Sequence, residues 1–263
     1  MIRLSFILSL YLVGCSSNEQ NPIANYKTQE KFSLPVIVNN INIDTVHPYV
    51  SKSVRPVSPK LVGKYKFGDT IIYNAQRQRE NLTEKEYMWE VKNSTDSDTL
   101  SSDGLQIIPD YTTSLAYEWY DTKKYLYFPV YVVNSTPEVK IFFGKDSHGF
   151  AIQEALDTSE YPQWYPIEAE ESDFCGNGRF RKKIYPGEFL MFLFPKYSGS
   201  IKTSLRVRFE IGGSIFISKP FYGIIDPLQF NVEESWIVNG LKETKGMGRY
   251  QLFYGAWPKG SWK

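Results

Sequence analysis

The cleanest alternation of apolar and polar positions runs through residues 203–211. Leu205, Val207, Phe209 and Ile211 fall on one side, and Arg206, Arg208 and Glu210 on the other. A period of two marks a strand with one face in a core and one in water. Gly212 and Gly213 separate this segment from a second strand pattern at 214–218. Two glycines between two strand patterns fit a tight hairpin that needs positive φ. Residues 189–194 are apolar throughout and stop at Pro195, as in a strand buried on both faces. Residues 125–133 read as a strong strand, Asn134-Ser135-Thr136-Pro137 as its turn, and 139–143 as the returning strand, ended by Gly144.

Elsewhere the pattern is thinner. Pro22, Pro35, Pro48, Pro56 and Pro59 interrupt the first sixty residues, and each removes a backbone donor. That stretch reads as extended chain with edge strands, the best at 36–43. Short strands are expected at 70–73, 87–91 and 116–120, with a polar loop at 92–104. Residues 81–91 fit a short helix or a strand equally. Residues 250–254 read as a strand leading into Gly255, Trp257, Gly260 and Trp262, an aromatic hairpin. Abundant Tyr and Phe with Val, Ile and Thr favour strands. The expected fold is therefore all-β: an antiparallel β-sandwich, with an immunoglobulin-like arrangement the first choice because it is common. An irregular Pro-rich N-terminal part precedes the sandwich and a C-terminal aromatic hairpin comes after it. Expected segments are 1–14, 15–24, 25–121, 122–232 (the sandwich) and 233–263.

The first residues carry a different signal. Arg3 is followed by an apolar or small run over residues 4–13, well short of the about 20 residues that cross a bilayer. The run ends in Leu12-Val13-Gly14-Cys15. A basic start, a short apolar centre and a small residue at the cut make a secretory signal. The tetrapeptide resembles the lipobox of bacterial lipoproteins. The resemblance implies cleavage after Gly14, a diacylglycerol thioether on Cys15 and acylation of the new amine by a fatty acid such as palmitate. It also implies a lipid-anchored protein of the cell envelope. Ser16, not Asp, follows the cysteine, which leans towards the outer membrane; the face is left open. Residues 16–22 are polar and lack a hydrophobic pattern, and 15–24 reads as a flexible tether. The body is similar to uncharacterised envelope lipoproteins of Bacteroidota type at Ile152-Gln153-Glu154-Ala155-Leu156, Phe174-Cys175-Gly176, Lys202-Thr203-Ser204-Leu205-Arg206 and Gln229-Phe230. That likeness implies no activity.

Composition narrows the chemistry. After removal of residues 1–14, and with them Arg3, basic and acidic residues are equal in number. Such a balance gives no long-range pull on nucleic acid, so none is expected as a partner. There are two cysteines, and lipidation of Cys15 leaves Cys175 without a disulfide partner, most simply as a buried thiol. No Gly-x-Ser-x-Gly elbow or phosphate loop occurs, and Gly176-Asn177-Gly178 reads as a turn. His47, His148 and Cys175 lack the spacing of zinc ligands. No catalytic residue, metal or cofactor is assigned.

Two local features remain. In Tyr161-Pro162-Gln163-Trp164-Tyr165-Pro166, prolines stiffen a loop bearing three aromatic rings. Tyr161, Trp164 and Tyr165 are the candidate ligand-binding residues, able to stack on sugars or hold a peptide; the plainer reading is that they cap the core. Glu168, Glu170, Glu171 and Asp173 form an acidic run that could supply oxygens to calcium. Arg179, Arg181, Lys182 and Lys183 come soon after, and a solvated strand pair with cross-strand ion pairs is the simpler reading. The expected function is a non-catalytic envelope lipoprotein that binds a protein partner or a glycan, or serves a structural role. The alternative is glycan binding or processing through the 161–166 loop.

Overall fold

The computed structural model describes residues 31–39, 43, 46–74, 99–118, 123–171, 178–245 and 248–260. Its strands are β1 (Val36–Asn39), β2 (Arg55–Val57), β3 (Lys60–Lys66), β4 (Thr70–Tyr73), β5 (Gln106–Pro109), β6 (Leu115–Glu118), β7 (Lys124–Val133) and β8 (Lys140–Lys145). They continue as β9 (His148–Asp157), β10 (Gln163–Pro166), β11 (Glu168–Glu170), β12 (Arg179–Ile184), β13 (Glu188–Pro195), β14 (Ile201–Ile211), β15 (Ser214–Ile217) and β16 (Phe221–Ile225). A 3-10 turn at Pro227–Phe230 precedes α1 (Ser235–Glu243) and α2 (Arg249–Leu252).

The protein is all-β at its centre. Twelve strands join in one antiparallel sheet that folds over itself into two layers. The larger layer holds β12, β8, β3, β13, β7, β5 and β6; the smaller holds β10, β9, β14, β15 and β16. β9 belongs to both. His148 and Gly149 pair with the larger layer, and residues 150–157 pair with β14 and β10. Gly149 is required at this crossing, because a Cβ there would sit 2.8 Å from the Phe209 ring and 2.9 Å from Phe192. An immunoglobulin-like sandwich keeps its sheets apart. The shared β9 makes this a nearly closed sheet instead, which corrects that part of the expectation.

The inner core lies between the layers. Phe128, Val130, Val132, Leu190, Phe192 and Phe194 meet Ala151, Val207, Phe209 and Ile211 there. The alternate residues of β13, Phe189, Met191 and Leu193, enter a second cluster on the far side of the larger layer. Ile37, Ile71 and Tyr73 of the parallel β1–β4 pair close over that cluster. This explains why β13 is apolar at every position. Gly212 and Gly213, at φ 61° and 86°, make the β14–β15 turn as expected.

The strands before residue 121 are laid into the larger layer: β3 pairs β13, and β5 and β6 pair β7. The ambiguous 81–91 segment and the strand expected at 87–91 lie outside the described residues. The expected C-terminal aromatic hairpin is replaced by α1 and α2. Their apolar residues Ile237, Leu241, Leu252 and Phe253 pack with Phe150, Ile152 and Ala169 on the outer side of the smaller layer. The spaced Gly and aromatic residues that read as a hairpin serve the end of α2 and the turn after it. Arg249 stacks between the rings of Tyr250 (4.3 Å) and Trp257 (4.1 Å) and donates to the Gly255 carbonyl at 2.8 Å.

Candidate functional site

The three rings of the 161–166 loop do not act together. Tyr161 stands in the β9–β10 turn and is 85% exposed. Trp164 and Tyr165 lie on β10, where successive residues face opposite sides. Tyr165 pairs with the inward Ala155, packs edge-on to Phe230 at 6.0 Å and donates its hydroxyl to Gln163 Oε1 at 3.0 Å. It closes the end of the core, which was the plainer reading. Trp164 is half-buried opposite Leu156 on the outer face, stacked against the Arg206 guanidinium at 4.4 Å.

That outer face continues beyond Trp164. The register places Trp164 opposite Leu156, and Ser204 opposite Tyr222. Since Ala155 faces Leu205, Leu156 and Ser204 are neighbours as well. Trp164, Leu156, Ser204 and Tyr222 therefore form one row across β10, β9, β14 and β16. With strands about 4.8 Å apart, the row spans about 14 Å. Leu156 and Ser204 are half-buried and low between the rings, and Tyr222 is 71% exposed. Two residues from Ser204 along β14 stand Lys202 on one side and Arg206 on the other; the Lys202 ammonium lies 5.7 Å from the Tyr222 ring. Sequence reading found Trp164 and missed Tyr222, Leu156, Ser204, Lys202 and Arg206. Residues 221–225 alternate in burial, but a glycine and an exposed tyrosine inside five residues hid the strand.

The same face is covered further along β9 and β14. Glu154, 1% exposed, accepts from Arg206 Nε at 2.7 Å and Arg208 Nη2 at 3.3 Å. Arg208 Nη1 also reaches the Tyr254 carbonyl at 3.4 Å. Arg206 and Arg208 keep only 19% and 13% of their side chains in water, against the expectation that this side is solvated. The polar side of the alternation was read correctly, and its covering by α2 and Glu154 was not.

The described carboxylates of the acidic run are not gathered around one point. Glu168 points inward and is wholly buried, whereas Glu171 is at the surface and accepts from Ser58 Oγ at 2.9 Å. Glu170 lies between them on β11, and Asp173 lies outside the described residues. Alternation along β11 puts Glu168 and Glu170 on one side while Glu171 stands at the surface beyond the strand, and among the described residues no group of His, Cys, Asp and Glu is placed to hold a metal. The acidic run and Arg179, Arg181, Lys182 and Lys183 do not lie on paired strands. β11 runs parallel to β2, and β12 pairs β8.

Glu168 instead anchors a polar cluster at the end of the core. It accepts from the Gln153 backbone N–H, from Gln153 Nε2 and from the Tyr197 hydroxyl, each at 2.7 Å. Burial pushes its carboxyl up to about 7, opposed by those three hydrogen bonds and the Arg55 charge. The cluster is sealed, so it holds structure and does not meet a ligand. An open cleft of about 450 Å³ lies elsewhere, lined by Lys66, Phe67, Tyr185, Pro186, Gly187 and Glu188. Glu188 is bridged to Lys64 at 3.3 Å, and the remaining lining is largely turn backbone. Cys15 and Cys175 lie outside the described residues.

Fold and site together describe an all-β protein with a nearly closed sheet and, among the described residues, an open outer face that bears rings. Scans against protein-family models, curated proteins and solved structures return no match. No described helix is long and apolar enough to cross a membrane.

Proposed function

We propose that this chain is an envelope lipoprotein, lipidated at Cys15 and held on the outer membrane. Its sandwich binds a ligand, without catalysis, on the open outer face of the smaller layer. The supporting observation is the row Trp164–Leu156–Ser204–Tyr222, two ring-bearing positions three strand spacings, about 14 Å, apart. Large rings left partly in water, beside the part of the face that α1 and α2 cover, mark a binding surface more than a packing surface. Glycoside hydrolysis needs two carboxylates roughly 5–9 Å apart across the bond. Beside the row, Glu154 is tied to two arginines and Asp157 to Lys259 at 2.6 Å, which favours binding over processing.

The binding test is in-cell photo-crosslinking from position 222, with position 72 on β4 as control. Specific capture of an envelope protein or glycan from 222 alone supports the reading; equal capture from both positions, or none, overturns it. The anchor is tested by fatty-acid labelling. Label is expected on the native chain and lost in Cys15→Ser, and label retained by that variant removes the anchor.

A further inference from the structure

We propose that the ligand of this face is an acidic polysaccharide, a chain of sugar rings carrying carboxylates. This rests on the binding face proposed above and adds the chemical class of its occupant. The observation is the joint placement of rings and cations. Sugar rings have apolar C–H faces that lie flat on aromatic rings, and Trp164 and Tyr222 offer such surfaces at the two ends of the row. A single sugar would meet one ring only. A span of about 14 Å, with low Leu156 and Ser204 between, suits an oligomer laid across the strands. Ser204 adds a hydroxyl in the middle of that path.

Charge selects among oligomers. Lys202 is exposed, and among the described residues no carboxylate pairs with it. Arg206 gives Nε to Glu154 and stays partly exposed, with its Nη groups carrying no hydrogen bond among the described residues. Glu154 faces two guanidiniums, so that trio keeps one net positive charge. Lys202 raises the total at the row to two, on a chain whose overall charge is +1. The two cations flank the row on opposite sides, each next to one of the rings. A carboxylate on a sugar stacked at either end then meets a cation, and the guanidinium gives it a bidentate partner. A single-stranded nucleic acid also brings rings and negative charge, but it needs a continuous basic groove along its backbone. Here the cations stand only at the ends.

The test is binding of the detergent-solubilised full chain to polygalacturonate and to the same polymer with its carboxylates methyl-esterified. Oligothymidylate and polyglutamate serve as other anionic polymers. Polygalacturonate should bind best and weaken with salt, and esterification should cost at least tenfold. Trp164→Ala, Tyr222→Ala and Lys202→Glu should each lose tenfold or more, while Ile72→Ala should match the native chain. Tyr222 is 71% exposed, so its loss leaves the fold intact and keeps the result readable. Equal binding of the esterified polymer, still lost in Tyr222→Ala, overturns the acidic class and leaves the binding face standing. Tighter binding of oligothymidylate or polyglutamate overturns the polysaccharide. Binding unchanged in both Trp164→Ala and Tyr222→Ala overturns the site itself. No binding to any polymer overturns this assignment, and crosslinking from position 222 then decides the face separately.

Discussion

The two halves of one sheet face are treated in opposite ways. Along β9 and β14, Phe150, Ile152 and Arg208 lie under the C-terminal helices, with every charge held by Glu154 or a carbonyl. A few residues further on, Leu156, Ser204 and Tyr222 carry no helix above them among the described residues. The strands and their spacing are the same, so backbone geometry does not explain the difference. Side-chain choice does. The covered half presents Phe150, Ile152 and an ion trio tied to Glu154, and the open half presents rings with cations at their margins. A face evolved only to be covered has no use for a half-buried Trp and an exposed Tyr in one row.

The strongest way to break this contrast is to open the ion trio. Glu154→Ala leaves two guanidiniums buried without their counter-charge, and unfolding in urea should show a loss of about 3–5 kcal/mol. A loss under about 1 kcal/mol would mean that water reaches the arginines and that the half is not closed. Phe253→Ala removes a wholly buried ring from beneath the helices and should cost about 3–4 kcal/mol. Proteolysis should then cut first between residues 235 and 260; cuts spread evenly over the chain would refute a separately held cover.

The inner neighbour of Glu154 sharpens the comparison. Gln153 faces the core and holds Glu168, whose carboxyl is raised to about 7 from an unfolded value of 4.5. With the folded value above the unfolded one, this group's contribution is complete below about pH 4.5 and lost as pH rises through about 7. The change amounts to roughly 3 kcal/mol, and the difference in stability between the native chain and Glu168→Gln should track it. Parallel pH profiles for the two proteins would remove Glu168 from the account. The smallest effect on folding belongs to the open half. Tyr222→Ala should shift stability by less than about 0.5 kcal/mol while abolishing ligand capture. A larger loss of stability would make Tyr222 a packing residue.

Much of the central sheet was legible, and the reason is periodicity. β13 and the inner side of β14 bury every residue that their patterns assigned to a core. β9 was not legible as a strand, because Gln153 and Glu154 sit side by side in its buried middle. Each is satisfied by a partner distant in sequence or across the sheet, and no local pattern shows such a partner. α1 was hidden for a similar reason. Its buried Ile237 and Leu241 make only one helical repeat, and the aromatic residues nearby suggested strands. Of the candidate site, Trp164 was legible as an unusual residue in a stiff loop. Tyr222 was not, since only the pairing of β14 with β16 brings it into the row.

The pairing of β3 with β13 has a consequence for how the chain is made. Lys60–Lys66 must wait for Glu188–Pro195 before it has its main neighbour, and β9 pairs with it only between Lys60 and His148. A nascent chain that has produced the first half holds Leu61 and Val62 without the strand that buries them. Contacts so distant in sequence delay folding. The larger layer is complete only after residue 195 has been made, so most of the polypeptide must be present before its central strand is in place.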